Sequence, residues 1–176
     1  MNKAFTLIEL LVIVGIVSMF TAILFVDYGS SNKALALDRA SQKMSQDIRR
    51  AQEMAMSGVV GDASTNGYGV YFDKAVNYTQ YIIYRNDNSN MYYEPGVDSV
   101  SETINIEAGI KICDIKDNAT SVNNISTSFQ PPDPINYINS NYTGHEASIV
   151  LCIISDPSKT RTVKVNNTGR VDITNP

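Results

Sequence analysis

Histidine is almost absent from this chain. His145 is the only one, set in a Thr-Gly-His-Glu stretch with no cysteine, histidine or aspartate at metal-ligand spacing, which is the arrangement of a surface side chain rather than a ligand or general base. There is no glycine-rich phosphate loop and no nucleophile elbow. These gaps argue against an enzyme: no catalytic, cofactor-binding or metal-binding residue is expected, and no cofactor. Proline does not occur before Pro95, so nothing of that kind would break a long N-terminal helix. No internal repeat is present. Cysteine is limited to Cys113 and Cys152, both in apolar strand-like runs. Two readings stay open for them: buried free thiols, or one bridge in an oxidising compartment, closing a loop worth roughly 3 to 4 kcal/mol in the chain-entropy model.

Charge is scarce where the chain begins. Residues 5–26, FTLIELLVIVGIVSMFTAILFV, are 22 positions with Glu9 as the only charge, and a helix of that length can cross a hydrocarbon core of about 30 Å. An ionised carboxylate there costs about 2.5 to 3.5 kcal/mol at the centre of a span and less near its end, so Glu9 needs a partner. Lys3 on the short side orients the span, by the tendency of basic residues to stay inside, with everything from Asp27 onward outside the cytoplasm.

After the apolar run comes a polar stretch of poor helix formers, residues 27–32, where a bend or local melting would rest on Gly29 and the serines. Then Leu37, Ala40, Met44, Ile48, Ala51 and Ala55 recur at spacings of three and four, with Asp38, Gln42, Arg49 and Glu53 on the other side. That is the pattern of a half-buried helix, with Lys43 to Asp47 and Arg49 to Glu53 as i,i+4 pairs and Gly58 with Gly61 as its end. From Gly67 the period becomes two. Eight runs (68–72, 78–84, 102–107, 109–115, 124–129, 147–154, 160–165 and 169–174) are rich in Val, Ile, Tyr and Thr. Residues 166–169, Asn-Asn-Thr-Gly, predict a tight terminal hairpin. Residues 86–91, 117–123 and 130–134 read as surface loops. One long helix followed by short strands predicts an α+β fold with the helix laid on antiparallel sheet.

The start of the chain, Met1-Asn2-Lys3-Ala4 followed by FTLIELL, resembles the type III signal sequence of type IV pilins and pseudopilins: a basic stub, a small residue, an aromatic, and a glutamate five residues into the mature chain. The resemblance implies a leader of residues 1–4, cleavage between Ala4 and Phe5 by a prepilin peptidase, and N-methylation of Phe5. It implies a single-pass protein of the bacterial inner membrane whose apolar helix later becomes filament core. Ala4 stands where the family more often has glycine. Physically, cleavage would leave an ammonium on Phe5 one helical turn from Glu9, and the carboxylate could meet that amine in its own chain or in a neighbour, setting assembly register. An ordinary secretory signal prefers an uncharged stretch of about 7 to 15 residues with a small-x-small site, and a plain anchor has no use for Glu9.

The domain plan is therefore a leader (1–4), a transmembrane and filament-core helix (5–26), an amphipathic half of the stem (27–60) and a β-rich globular part (61–176). Arg50-Ala51-Gln52 with Ala55, the Gly-Tyr-Gly-Val run at 67–70, Phe-x-Pro at 129–131 and Gly-Arg-Val at 169–171 are similar to features of the type II secretion H subunit and of FimT-like minor pilins. That likeness implies a minor pseudopilin or minor pilin. Its partners would be the prepilin peptidase, other pilin subunits, an inner-membrane assembly platform and lipid. A major, filament-building pilin is the alternative. A third reading, DNA capture, would use Lys159, Arg161, Lys164 and Arg170. Residues 157–176 are net plus three, against net minus eight for 62–156 and minus four for the whole chain, so a solvated hairpin is favoured over nucleic acid contact. The five Asn-x-Ser/Thr sequons are read as chance, and the ten tyrosines as core and cross-strand pairs.

Overall fold

In the computed structural model the described residues are 6–57, 66–131, 135–141 and 143–175, with the side chains of 24–31 outside the description. The chain divides into two compact units, Met1–Leu35 and Ala36–Pro176. One helix, α1 (Leu7–Met56), contributes to both. Residues 27–32 are helical within it, so the expected local melting is not there. The helix ends at Met56, and the glycines expected to stop it, Gly58 and Gly61, lie outside the described residues, as do residues 132–134 of the expected proline-rich loop.

In the second unit the helical stripe does what its spacing predicts. Leu37, Met44, Ile48 and Ala51 are at most 1% exposed, and Ala36, Ala40 and Ala55 are buried beside them. Each of the larger three contributes about 1.5 to 3 kcal/mol by leaving water, while the alanines let the sheets approach closely. Among the described residues the rest of the unit holds ten strands in two five-stranded antiparallel sheets. The first is β3 (Ser99–Asn105), β2 (Gln80–Arg85), β1 (Tyr68–Asp73), β6 (Asn124–Gln130) and β7 (Ile135–Ile138), in that order. The second is β10 (Val171–Thr174), β9 (Asp156–Asn166), β8 (Glu146–Ile153), β4 (Ile110–Asp117) and β5 (Thr120–Val122). The fold is thus α+β as expected, with two sheets. β5 and β7 were not among the expected strands, because three and four residues are too few to show a period of two.

Alternation carries the core. Val70 and Phe72 of β1, Tyr81 and Ile83 of β2, Ile125 and Phe129 of β6, and Ile149, Leu151, Val163 and Val165 of the second sheet join the helix stripe in one cluster. Polar staples hold the helix on both flanks. Arg50 pairs with Glu102 at 2.6 Å and Arg39 with Glu107 on the first side, and Asp38 accepts from Arg161 at 2.7 Å on the second. Asp47, expected to pair along the helix with Lys43, instead accepts from the Tyr81 hydroxyl at 2.7 Å and lies 3.4 Å from Arg50. Arg49 donates to the Val171 carbonyl. Side chains at a helix–sheet seam find partners across it, so the local i,i+4 pairs are outcompeted.

The outer face of the first sheet is also covered. Gly69, Tyr71, Tyr84, Ser126 and Ser128 point away from the helix, and residues 86–98, expected to include an exposed loop, fold over them. Asn86 is wholly buried and Met91 is 7% exposed. Tyr93 packs between Tyr71 and Tyr84, with ring centroids 4.8 and 5.1 Å away. The Tyr84 hydroxyl shares a short hydrogen bond with Ser128 Oγ, which in turn donates to the Met91 carbonyl. The glycines of the Gly-Tyr-Gly-Val run have a physical reason here. A Cβ on Gly69 would sit 2.7 Å from the Tyr84 ring and 2.5 Å from the Thr127 carbonyl oxygen, and Gly67 has φ +128° with the Phe129 carbonyl 2.0 Å from where its Cβ would be.

Candidate functional site

The first unit presents a surface of a different kind. Over residues 7–23 of α1 the large apolar side chains are exposed all round the helix, from Leu7 at 83% and Met19 at 71% to Ile13 at 46%. A helix apolar on every side has no solvent face, in contrast to the striped pattern of a helix that packs one side on a sheet. The polar groups in the segment are arranged accordingly. Ser18 donates its hydroxyl to the Val14 carbonyl and Thr21 to the Val17 carbonyl, both at 2.7 Å, so neither presents an unmet donor to an apolar neighbour. Gly15 has open space where a Cβ would be. Glu9 is the exception. It sits in the first turn, exposed, its backbone N–H donating to Thr6 Oγ1 at 3.3 Å, and among the described residues its carboxylate has no ion-pair partner. An acid near a helix N-terminus is favoured by the dipole.

Among the described residues no helix is long and apolar enough to cross a membrane. Ala4 and Phe5, the expected cleavage and methylation positions, lie outside the described residues.

Of the terminal hairpin's cations, Lys159, Arg161 and Lys164 lie on β9 and Arg170 just before β10, and three of the four meet carboxylates. Arg161 is held by Asp38, Lys164 Nζ lies 2.8 Å from Glu146, and Arg170 lies 2.8 Å from Asp172; Lys159 is exposed. Each carboxylate cancels charge that a phosphate backbone would need. The hairpin turn itself forms where expected. Gly169 takes φ 76°, and the Asn166 side-chain oxygen accepts from the Thr168 and Arg170 backbone N–H groups at 3.1 and 3.0 Å.

His145 is half-buried, its Nδ1 2.6 Å from Asp117, and its backbone N–H donates to Asn167, so it ties a loop to the end of β4. Cys113 and Cys152 are bridged between neighbouring strands β4 and β8, with Cα atoms 5.8 Å apart. Three tyrosines have displaced phenols. Burial, then the hydrogen bond to Asp47, pushes Tyr81 well above the ordinary range; burial does the same to Tyr84; burial and Asp73 push Tyr71 up to about 12. These are the signatures of packing, not of a poised acid.

What the sequence reasoning missed is the lid over the first sheet. The signal was available in Met91, Tyr92 and Tyr93, an apolar island inside the polar stretch.

No family model matches the chain, and no curated protein is similar to it in sequence. Its structure is similar to the crystal structure of the type IV minor pilin FimU from Pseudomonas aeruginosa strain PAO1, at 10% sequence identity and a TM-score of 0.49, over 78% of this chain and 87% of that one.

Proposed function

We propose that the chain is a pilin-like structural subunit, a minor pseudopilin or minor pilin. It is made as a precursor, cut between Ala4 and Phe5 by a prepilin peptidase and N-methylated at Phe5. Residues 5–26 hold it in the bacterial inner membrane, with the sheets outside the cytoplasm. An assembly platform then draws it into a type II secretion pseudopilus or a type IV pilus. The observation that carries this reading is the all-round apolar surface of residues 7–23 with Glu9 as its only charge, closely following Lys3-Ala4-Phe5.

Assembly exchanges lipid for helix contacts. Gly15, Ser18 and Ala22 allow close approach, since the space beside Gly15 is open and the Ser18 hydroxyl is already satisfied within its own helix. The Phe5 ammonium and the Glu9 carboxylate set the stagger, because a subunit out of register strands a charge in an apolar setting at a cost of several kcal/mol. The minor role is supported by the motifs similar to those of the H subunit and FimT-like proteins, one of which, the run at 67–70, contains two glycines, Gly67 and Gly69, where a side chain does not fit.

Mass spectrometry of the mature N-terminus, with and without the host's prepilin peptidase, tests the processing step. A chain beginning at methylated Phe5 only when the peptidase is present is the expected result; a retained Met1 in assembled fibres would overturn it. Glu9→Ala is expected to stay in the membrane and drop out of filaments, and normal incorporation would remove the register role.

A further inference from the structure

The bridge joins two sulfurs in unlike surroundings. Cys152 lies on β8 and is 0% exposed. Cys113 is the extra residue of a β-bulge: the pairing passes from Ile112 opposite Leu151 to Asp114 opposite Val150, leaving Cys113 without a partner residue in the ladder. The bulge lets both Ile112 and Ile115 enter the core, three positions apart, while Cys113, next to the buried Ile112, lies on the outward side of the strand by alternation. There it is half-buried and lines an open recess of about 440 Å³ with Lys74, Lys111, Tyr78 and Ile154. Lys74 is committed to Asp114 at 2.6 Å and Ser121 at 2.8 Å, which leaves Lys111 as the recess cation with no such carboxylate contact among the described residues.

Thiol–disulfide exchange is a displacement. The attacking thiolate must reach one sulfur from the side opposite the other, which leaves. In this fold Cys113 lines the recess, whereas Cys152, on the same outward face of the sheet, is 0% exposed and does not line it. We propose that Cys113 is the sulfur through which a thiol–disulfide oxidoreductase makes and opens this bridge, with Cys152 as the resolving thiol. In oxidation, the Cys113 thiolate attacks one sulfur of the oxidoreductase's disulfide. A mixed disulfide forms, and the second oxidoreductase sulfur leaves as a thiolate. The Cys152 thiolate then attacks Cys113 Sγ, closing the bridge and expelling the first. Two electrons pass to the oxidoreductase, and the two thiol protons go to solvent and the departing thiolates. Opening is the reverse sequence, begun by an outside thiolate on Cys113 Sγ. Lys111 favours an incoming anionic thiol.

Glutathione serves as the probe on the bridged full-length chain in detergent. After acid quench and maleimide capture of free thiols, peptide mass spectrometry is expected to find glutathione on Cys113 and maleimide on Cys152, by about tenfold or more over the opposite labelling. Equal labelling, or glutathione mainly on Cys152, overturns the proposal, and so does a bridge that opens only in denaturant. As a second measurement, glutathione disulfide should modify Cys152→Ala about tenfold faster than Cys113→Ala under native conditions, the two rates converging in urea. Equal native rates overturn it as well.

Discussion

Residues 7–23 and residues 36–56 belong to the same helix and have opposite surfaces. In the first, the apolar residues are continuous and exposed; in the second they recur at threes and fours, and every residue of the expected stripe is buried. The difference is one of pattern, not of hydrophobicity alone. An interrupted stripe has a direction, and a sheet in the same chain can cover it. A continuous one has none, so no single face of a sheet can cover it.

The sharpest way to break this comparison is to remove the same kind of side chain from each region. Ile48→Ala should destabilise the sheet unit by about 2 to 5 kcal/mol, since it empties a fully packed position, whereas Ile16→Ala should leave the unfolding midpoint of that unit unchanged. Equal losses in denaturant titrations of the chain in detergent would mean that the two regions are covered alike.

A smaller effect probes the other side of the first sheet. Gly69→Ala must displace either the Tyr84 ring or the Thr127 carbonyl, an overpacking cost of about 1 to 3 kcal/mol. Loss of the Tyr84–Tyr93 packing should follow in near-ultraviolet circular dichroism, and an unchanged spectrum with unchanged stability would show that the lid is not seated as described. Smaller again, Tyr81→Phe removes the hydroxyl that serves Asp47 and should cost about 1 kcal/mol, or more if the carboxylate stays dry. No change would mean that Arg50 alone satisfies it.

The smallest expected effect is a pH dependence confined to the sheet unit. Burial would raise Asp87, but the hydrogen bonds from Arg85 and Ser99 outweigh it; likewise Lys74 and Ser121 outweigh burial at Asp114, and both carboxyls lie below the ordinary range. Their stabilising share is therefore complete above the ordinary aspartate value of about 3.9 and is lost as pH falls through the lower folded values. At the other extreme Tyr71, raised to about 12, favours the fold below its ordinary value near 10, and that share is lost as pH rises from about 10 through 12. Stability profiles of Asp114→Asn and Tyr71→Phe against the parent check the two limbs: each variant should lose only its own slope.

Much of this was readable in advance where the causes are local. The stripe from Leu37 to Ala55 needs only a period of 3.6, the Asn166–Gly169 turn needs only its own residues, and strands such as β8 announce themselves by alternation. Failures came where partners decide. The Lys43–Asp47 pair gave way to Tyr81, β5 needed β4 to become a strand, and residues 86–98 became a lid because Tyr84 and Tyr71 offered Tyr93 a place. Arg161 is a like case: its partner Asp38 stands 123 positions away in sequence, and only the fold brings the two together.

The chain order of the residues was enough to establish that a long apolar helix carrying one acid precedes an amphipathic helix and a strand-rich part, because composition and period act over a few residues. Folding alone decided that the strands split into two sheets, with the chain passing from one to the other and back, since β1 lies between β2 and β6 through hydrogen bonds that no local pattern specifies. It also decided that Cys152 is wholly covered while its bridge partner Cys113 stays half-buried, because neighbouring strands and loops, not the local pattern, set that cover.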